Sequence, residues 1–333
     1  MGRRAGNSAA SPRTSAAASG GSPAGAHRGA ERSPDTDRAA PAMRAPAATG
    51  PVRRPLLIVN ADDFGASHSV NAAVLRAYRE GVLTSASLMV TGDAFEEAVE
   101  LARSAPDLAV GLHLVLVQGR AASPHARVPH LTDRDGRLPR DPAGFGLRLA
   151  FDPLLQRETA AEIAAQLERF AATGLPLSHV DGHLNFHLHP AVFTPLARGA
   201  AQYGARGIRL PRDDLRLALR HDRRRLLKKL LLAAAFGWLS AWARRRLPAG
   251  MHVTERVYGL FQSGGLTPAY VLDAVAALHG SSAELYAHPA TEAGDEALGP
   301  NTTDLATLCD PAVAAALRRA DVRLGGYATL GEG

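Results

Sequence analysis

The chain has 333 residues, a formal net charge of +6, one cysteine (Cys309), 46 % hydrophobic and 5 % aromatic residues. Such a length accommodates one α/β barrel with insertions, and a lone cysteine excludes an intrachain disulfide and fits a reducing, cytoplasmic compartment. Nine arginines against Glu31, Asp35 and Asp37 in residues 1–54 account for the whole +6, so residues 55–333 are neutral in sum and a bulk nucleic-acid-binding role is excluded.

Residues 1–54 hold no Leu, Ile, Phe, Tyr or Trp. A stretch of Ala, Arg, Pro and Ser buries too little apolar surface to offset the entropy of ordering, and we expect a disordered tail. Arg3-Arg4 looks like a twin-arginine start, but the apolar stretch of about 7–15 residues that a secretory signal needs does not follow it. Met43 is a competing start that would remove most of the tail.

From Pro55 the pattern changes. Leu56 to Val59 reads as a buried parallel strand and Val70 to Glu80 as a helix. Strands at Ser85 to Val90 and Leu108 to Val115 flank a helix at Phe95 to Arg103. A loop-rich insertion follows, then a helix at Thr159 to Thr173, a strand at Leu177 to Val180, a helix at Ala191 to Tyr203 and a strand at Gly207 to Leu210. The remainder reads as Val257 to Phe261, a helix near Pro268 to Leu278, a strand at Glu284 to Ala287, a helix near Pro311 to Ala320, and Arg323 to Tyr327. Alternation of this kind means right-handed βαβ units on a parallel sheet. The expected fold is therefore α/β, a distorted or incomplete TIM-like (β/α) barrel over 55–333 with a basic helical insertion at about 213–250. No Gly-rich phosphate loop follows the first strand, which counts against an open doubly wound sheet.

Four motifs sit at or just after predicted strands: Asn60-Ala61-Asp62-Asp63-Phe64-Gly65, Gly111-Leu112-His113-Leu114, the run from His179 to Pro190, and Glu284-Leu285-Tyr286-Ala287-His288-Pro289. In a β/α barrel the carboxyl ends of the strands converge on one face, so residues distant in sequence meet there. Carboxylates and imidazoles together suit a divalent ion such as zinc, which activates water, while a neighbouring carboxylate takes its proton. Each motif also has a plainer reading. Asp62-Asp63 could cap a helix, His113 could be a core histidine, and His288 could close a turn. His183 and His187 could pair at i, i+4 on a helix, although Gly182 argues for a loop.

The stretches LIVNADDFG, TSASLMVTGDAFEEAV, VGLHLVLVQGR, GLPLSHVDGHLNFHLHP, GIRLPRD and ELYAHPA run in order over about residues 56–327. Together they resemble the YdjC-like carbohydrate deacetylases, most closely the hopanoid-associated, HpnK-type subgroup. That resemblance implies hydrolysis of the N-acetyl group of an amino sugar with one divalent ion, zinc or magnesium. It implies Asp63, His113 and His183 as metal ligands, Asp62 as general base and His288 as general acid. Asp181 would orient a ligand histidine, Arg209 would contact substrate or the catalytic carboxylate, and His187 would stand in the supporting shell or be an alternative ligand. The family often carries a longer histidine run where this chain has Leu184 and Asn185. Another metal-dependent barrel hydrolase (a phosphoesterase or cyclic amidohydrolase) and a non-catalytic glycolipid-binding protein are the competing readings.

Residues 215–247 hold ten Arg or Lys against Asp222, and both tryptophans of the chain fall in the apolar run Leu230 to Ala243. A helix of that run is about 21 Å long, short of a bilayer core of about 30 Å, so a transmembrane span is not expected. Cationic ends around an apolar, Trp-bearing centre suit an anionic membrane surface through 219–247, on the inner face of the cell membrane. A buried or homodimer-forming helix with solvated charged ends is the alternative. The implied substrate of the subgroup, an amino sugar on a hopanoid lipid, agrees with the membrane reading.

Overall fold

Leu56 opens a nine-residue strand, β1 (Leu56–Phe64), in which every residue is buried. A run buried on both faces is what the middle of a parallel sheet requires. The strand lies at the centre of a computed structural model that describes residues 54–278, 282–293 and 299–331. The tail expected at 1–54 lies, Arg54 excepted, outside the described residues.

After β1 come α1 (His68–Glu80), β2 (Ser85–Leu88), α2 (Phe95–Arg103), β3 (Ala109–Leu114), α3 (Pro142–Phe151), α4 (Pro153–Ala172), β4 (His179–Gly182), a 3₁₀ turn (His183–Leu188) and α5 (Pro190–Gln202). The rest is β5 (Gly207–Ile208), α6 (Leu215–His221), α7 (Leu226–Arg244), β6 (Arg256–Tyr258), α8 (Pro268–Ala276), β7 (Ser282–Ala287), α9 (Thr302–Leu308), α10 (Pro311–Arg319) and β8 (Arg323–Leu324). The strands are parallel in the order β5-β4-β3-β2-β1-β7-β6. β8 pairs with β1 at Leu56 and Leu57, and β2 takes over from Asn60. The sheet curls into a half-barrel surrounded by helices, the distorted β/α barrel expected from the sequence. Between its ends, the Ile208 N–H donates to the carbonyl of His252, on the segment leading into β6.

Two helical stretches differ from the sequence reading. The insertion read as loop-rich contains α3, and α4 begins at Pro153, six residues before the expected Thr159. Asp141 and Asp152 cap these helices by accepting backbone N–H bonds, each with proline at the first helical position, where its missing N–H costs nothing. α9, capped by Asn301, was not anticipated either.

The basic insertion is α6 and α7. α7 has 19 residues, longer than the apolar run at its centre, and measures about 28 Å. Among the described residues it is the one helix long and apolar enough to cross a membrane by length and composition alone. One side of it lies on the barrel. The Ser240 hydroxyl donates to the carbonyl of Pro211, Trp242 packs edge-on against Phe193 of α5, and the Lys229 ammonium is paired with Asp222.

Candidate active site

β1 does not end at Val59 but runs through both aspartates. In a regular strand neighbouring side chains point to opposite faces. Here the register against β2 shifts between Ala61 and Phe64, and Asp63 takes a left-handed φ of 63°, which Asp tolerates better than most residues. Both carboxylates therefore enter one buried cluster. Neither caps a helix: Ser67 caps α1.

Asp63 Oδ1 lies 3.4 Å from His113 Nε2 of β3 and 3.2 Å from His183 Nδ1 of the 3₁₀ turn. These three residues place one ligand atom each within 4.8 Å of the others. The edge of a tetrahedron with metal–ligand bonds of about 2.0–2.1 Å is about 3.4 Å, so the two donor separations fit an ion of that size. Two imidazoles with one carboxylate suit zinc-like ions better than magnesium, which prefers oxygen. Asp62, His113 and Asp181 form a second set of the same reach, but Arg209 already holds both aspartates.

His113 carries its supporting partner: Nδ1 is 2.8 Å from Asp181 Oδ1, which leaves Nε2 turned toward Asp63. A carboxylate on the far nitrogen fixes the ring and raises its basicity as a ligand. Burial lowers the His113 imidazole, but the charge and hydrogen bond of Asp181, then Asp63, outweigh it and push it up to about 10. Burial raises the Asp63 carboxyl, yet the hydrogen bonds and charges of His113 and His183 hold it well below the usual carboxylate range. A divalent ion binding here would replace the imidazolium proton, which is the normal coupling of metal affinity to proton release.

Arg209 is the hub. Its side chain is fully buried and meets three carboxylates. It binds Asp62 through two bonds of 2.7 Å, approaches Asp181 Oδ2 at 2.7 Å, and contacts Glu284 Oε1 from Nε and Nη2 at 2.9 and 2.8 Å. Its guanidinium lies 4.4 Å from the centre of the Tyr286 ring. Burial alone would lower it, and the three carboxylates raise it well above its usual value. Arg209 therefore meets the catalytic carboxylate candidate, one of the two contacts expected of it. His187 is also fully buried, and its Nε2 meets the carbonyl of Arg209 at 2.9 Å, away from Asp63. The kink that separates it from His183 comes from Leu184 and Asn185, both left-handed, so no i, i+4 helical pair forms. His288, which follows β7, sets its Nε2 3.8 Å from Asp62 Oδ2. Its backbone N–H is anchored by Asp304.

The sequence reading gave no role to Asn60, His179 or Glu284, although they lie in the motifs it named, nor to Ser87. Asn60 donates to Asp62 and Ser87, and Ser87 donates to Asp181 at 2.7 Å and meets His179. Glu284 accepts from Arg209 and from the Tyr327 hydroxyl. A glutamate in a strand that otherwise reads as apolar was the available signal, because a buried acid needs a cation or donors.

The family model for YdjC-like protein matches residues 56–319. The chain belongs to this family. A carbohydrate deacetylase of Geobacillus stearothermophilus is 34 % identical over 277 residues, 81 % of this chain and 96 % of that protein. A chitooligosaccharide deacetylase of Salmonella paratyphi B is 35 % identical over 239 residues, 71 % of this chain and 81 % of its own. A carbohydrate deacetylase of Brevibacillus brevis is 47 % identical over a shorter stretch of 147 residues, and the chain spans only 56 % of its length. The proposed cellobiose-phosphate cleavage protein of Enterococcus faecalis V583 superposes with a TM-score of 0.66 at 23 % identity, covering 83 % of this chain and 99 % of its own, and shares the fold.

Proposed function

We propose that this YdjC-like chain is a metal-dependent hydrolase that removes the acetyl group from an N-acetylated amino sugar. The observation that carries the reading is the donor triangle of Asp63, His113 and His183, set beside an Asp62 that Arg209 holds and a His288 whose ring packs edge-on against Tyr286 with Nε2 3.8 Å from Asp62. The deacetylase names of the Geobacillus and Salmonella relatives support the reaction class.

Asp63, His113 and His183 would hold the ion, which when bound supplies Lewis acidity at the acetyl oxygen and makes water a nucleophile near neutral pH. Asp62 accepts the proton of the attacking water as the new C–O bond forms. Arg209 and Asn60 keep that carboxylate in place by direct hydrogen bonds. His288 gives a proton to the sugar nitrogen as the C–N bond breaks, and acetate and a free amine leave. Asp181 keeps His113 in the tautomer that bears its proton on Nδ1.

The finer reading is a sugar carried on a hopanoid lipid, processed at the inner face of the cell membrane. The HpnK-type resemblance and the basic, apolar α6–α7 insertion support it. The test incubates purified, metal-analysed protein with N-acetyl chitooligosaccharides and with an N-acetylglucosaminyl hopanoid in vesicles, before and after chelation and metal return. Acetate that disappears with the metal and returns with zinc is the expected result. Metal-loaded protein that frees no acetate from either, or frees phosphate from phosphate esters instead, would overturn it.

A further inference from the structure

Among the described residues, eleven large hydrophobic side chains are exposed, and nine of them fall in three segments. One is the α3–α4 corner, where Leu147, Phe151 and Leu154 are 67, 80 and 54 % exposed. The next is Leu184, in the turn that carries His183. The third is the outer side of α7, where Leu227, Leu231 and Trp238 recur on one stripe and are each at least 63 % exposed. Scattered apolar residues need no explanation, but clustering of this kind marks an interaction surface.

The segments adjoin one another around the active-site turn. Phe145 of α3 stacks on Phe186 of that turn with ring centres 5.1 Å apart. α7 touches both the turn and α5. Leu184 holds a left-handed backbone with φ of 54° and gains no burial for it.

Charge indicates what covers the surface. Arg223, Arg224, Arg225 and Lys228 are exposed at the start of α7, and Arg148 is exposed between Leu147 and Phe151. The first turn of α7 holds no acid and its N-cap makes no side-chain bond, so these cations sit against the positive end of the helix dipole. Anions from outside the chain relieve that repulsion. A second copy of the chain does not, because Arg244, Arg245 and Arg246 make the other end of α7 cationic as well, and either orientation of a helix pair sets cation against cation.

We propose that the α3–α4 corner, Leu184 and α7 form one docking surface for an anionic lipid bilayer, which sets the mouth of the active site against the membrane. It deepens the lipid-linked reading, on which its purpose rests, and extends the contact beyond α7. Apolar residues enter the headgroup boundary while Arg and Lys meet the lipid phosphates.

The test is cosedimentation of the full chain with vesicles of phosphatidylglycerol and phosphatidylethanolamine, with phosphatidylcholine vesicles as the neutral control. Retention on the anionic vesicles that falls with added salt is expected. Leu227→Asp/Leu231→Asp and Leu147→Asp/Phe151→Asp should each lower partitioning about tenfold or more, since each removes two apolar anchors and adds two negative charges. Circular dichroism, melting temperature and acetate release from soluble chitooligosaccharides should match the unsubstituted chain. Absence of retention, equal retention on neutral vesicles, or unchanged retention in the α3–α4 pair overturns the proposal. So does a dimer in solution that the α7 pair splits while vesicles are ignored. Vesicle retention without acetate release from any sugar would leave the surface standing and count against the deacetylase reading instead.

Discussion

Arg209→Met removes the one guanidinium that, among the described residues, contacts Asp62, Asp181 and Glu284, and it leaves the volume nearly filled. Removing one member of a buried ion pair costs about 3–5 kcal/mol, because the other charge stays buried without compensation. Three carboxylates share this cation, so the loss should reach at least about 5 kcal/mol, a large part of the roughly 5–15 kcal/mol that holds a domain together. Arg209→Met should accumulate poorly and lack a cooperative melt at 37 °C. Arg209→Lys keeps a positive charge but cannot reproduce the planar fork toward Asp62 and Glu284. A loss of about 2 kcal/mol follows, which in a domain of this size lowers the melting temperature by roughly 3–4 °C. Scanning fluorimetry at pH 7 with metal content measured in parallel gives the comparison. A methionine variant that melts within about 2 °C of the unsubstituted chain would refute the idea that this arginine holds the buried acids together.

Asp62→Asn should lower acetate release by about 10²–10⁴-fold, the usual range for losing a general base, with metal content nearly intact because the donor triangle does not include Asp62. Metal lost together with activity would reassign Asp62 to coordination. Burial pushes both His179 and His187 down to about 4, so the folded protein keeps them neutral where an unfolded chain would protonate them. Their contribution is complete above pH of about 6.5 and is lost as pH falls toward about 4. Asp213, which burial pushes up to about 6, works the other way below that pH and offsets part of the loss. The two histidines leave a net decline across the window, and a flat chemical-denaturation profile of an Asp213→Asn variant between those values would contradict it. Gly111→Ala would set a Cβ about 2.4 Å from the His179 ring and 2.6 Å from its carbonyl, and overpacking of that kind costs about 1–3 kcal/mol, readable as a lower urea midpoint.

Strand-ending positions made much of the site legible. The four motifs fall where β1, β3, β4 and β7 deliver them, and Asp62, Asp63, His113, His183 and His288 do meet. α3 and the start of α4 went unread because their apolar spacing is weak, although Asp-Pro at 141–142 and at 152–153 is a helix-start signal. Glu284 and Ser87 went unread because single polar residues in strands have no local pattern of their own.

Hydrophobic alternation, proline and caps act over a few residues, so the amino-acid order by itself determined the βαβ rhythm, the neutral barrel segment and the strand tips that bear histidine or aspartate. Which ring nitrogen faces Asp63, how a shifted register turns two adjacent aspartates into one cluster, and why Arg209 lies under Asp62 are decided by contacts between residues as much as 147 positions apart. The same holds for the exposed leucines: a helix carries its apolar stripe in its sequence, but only packing shows which side the barrel covers and which it leaves to water.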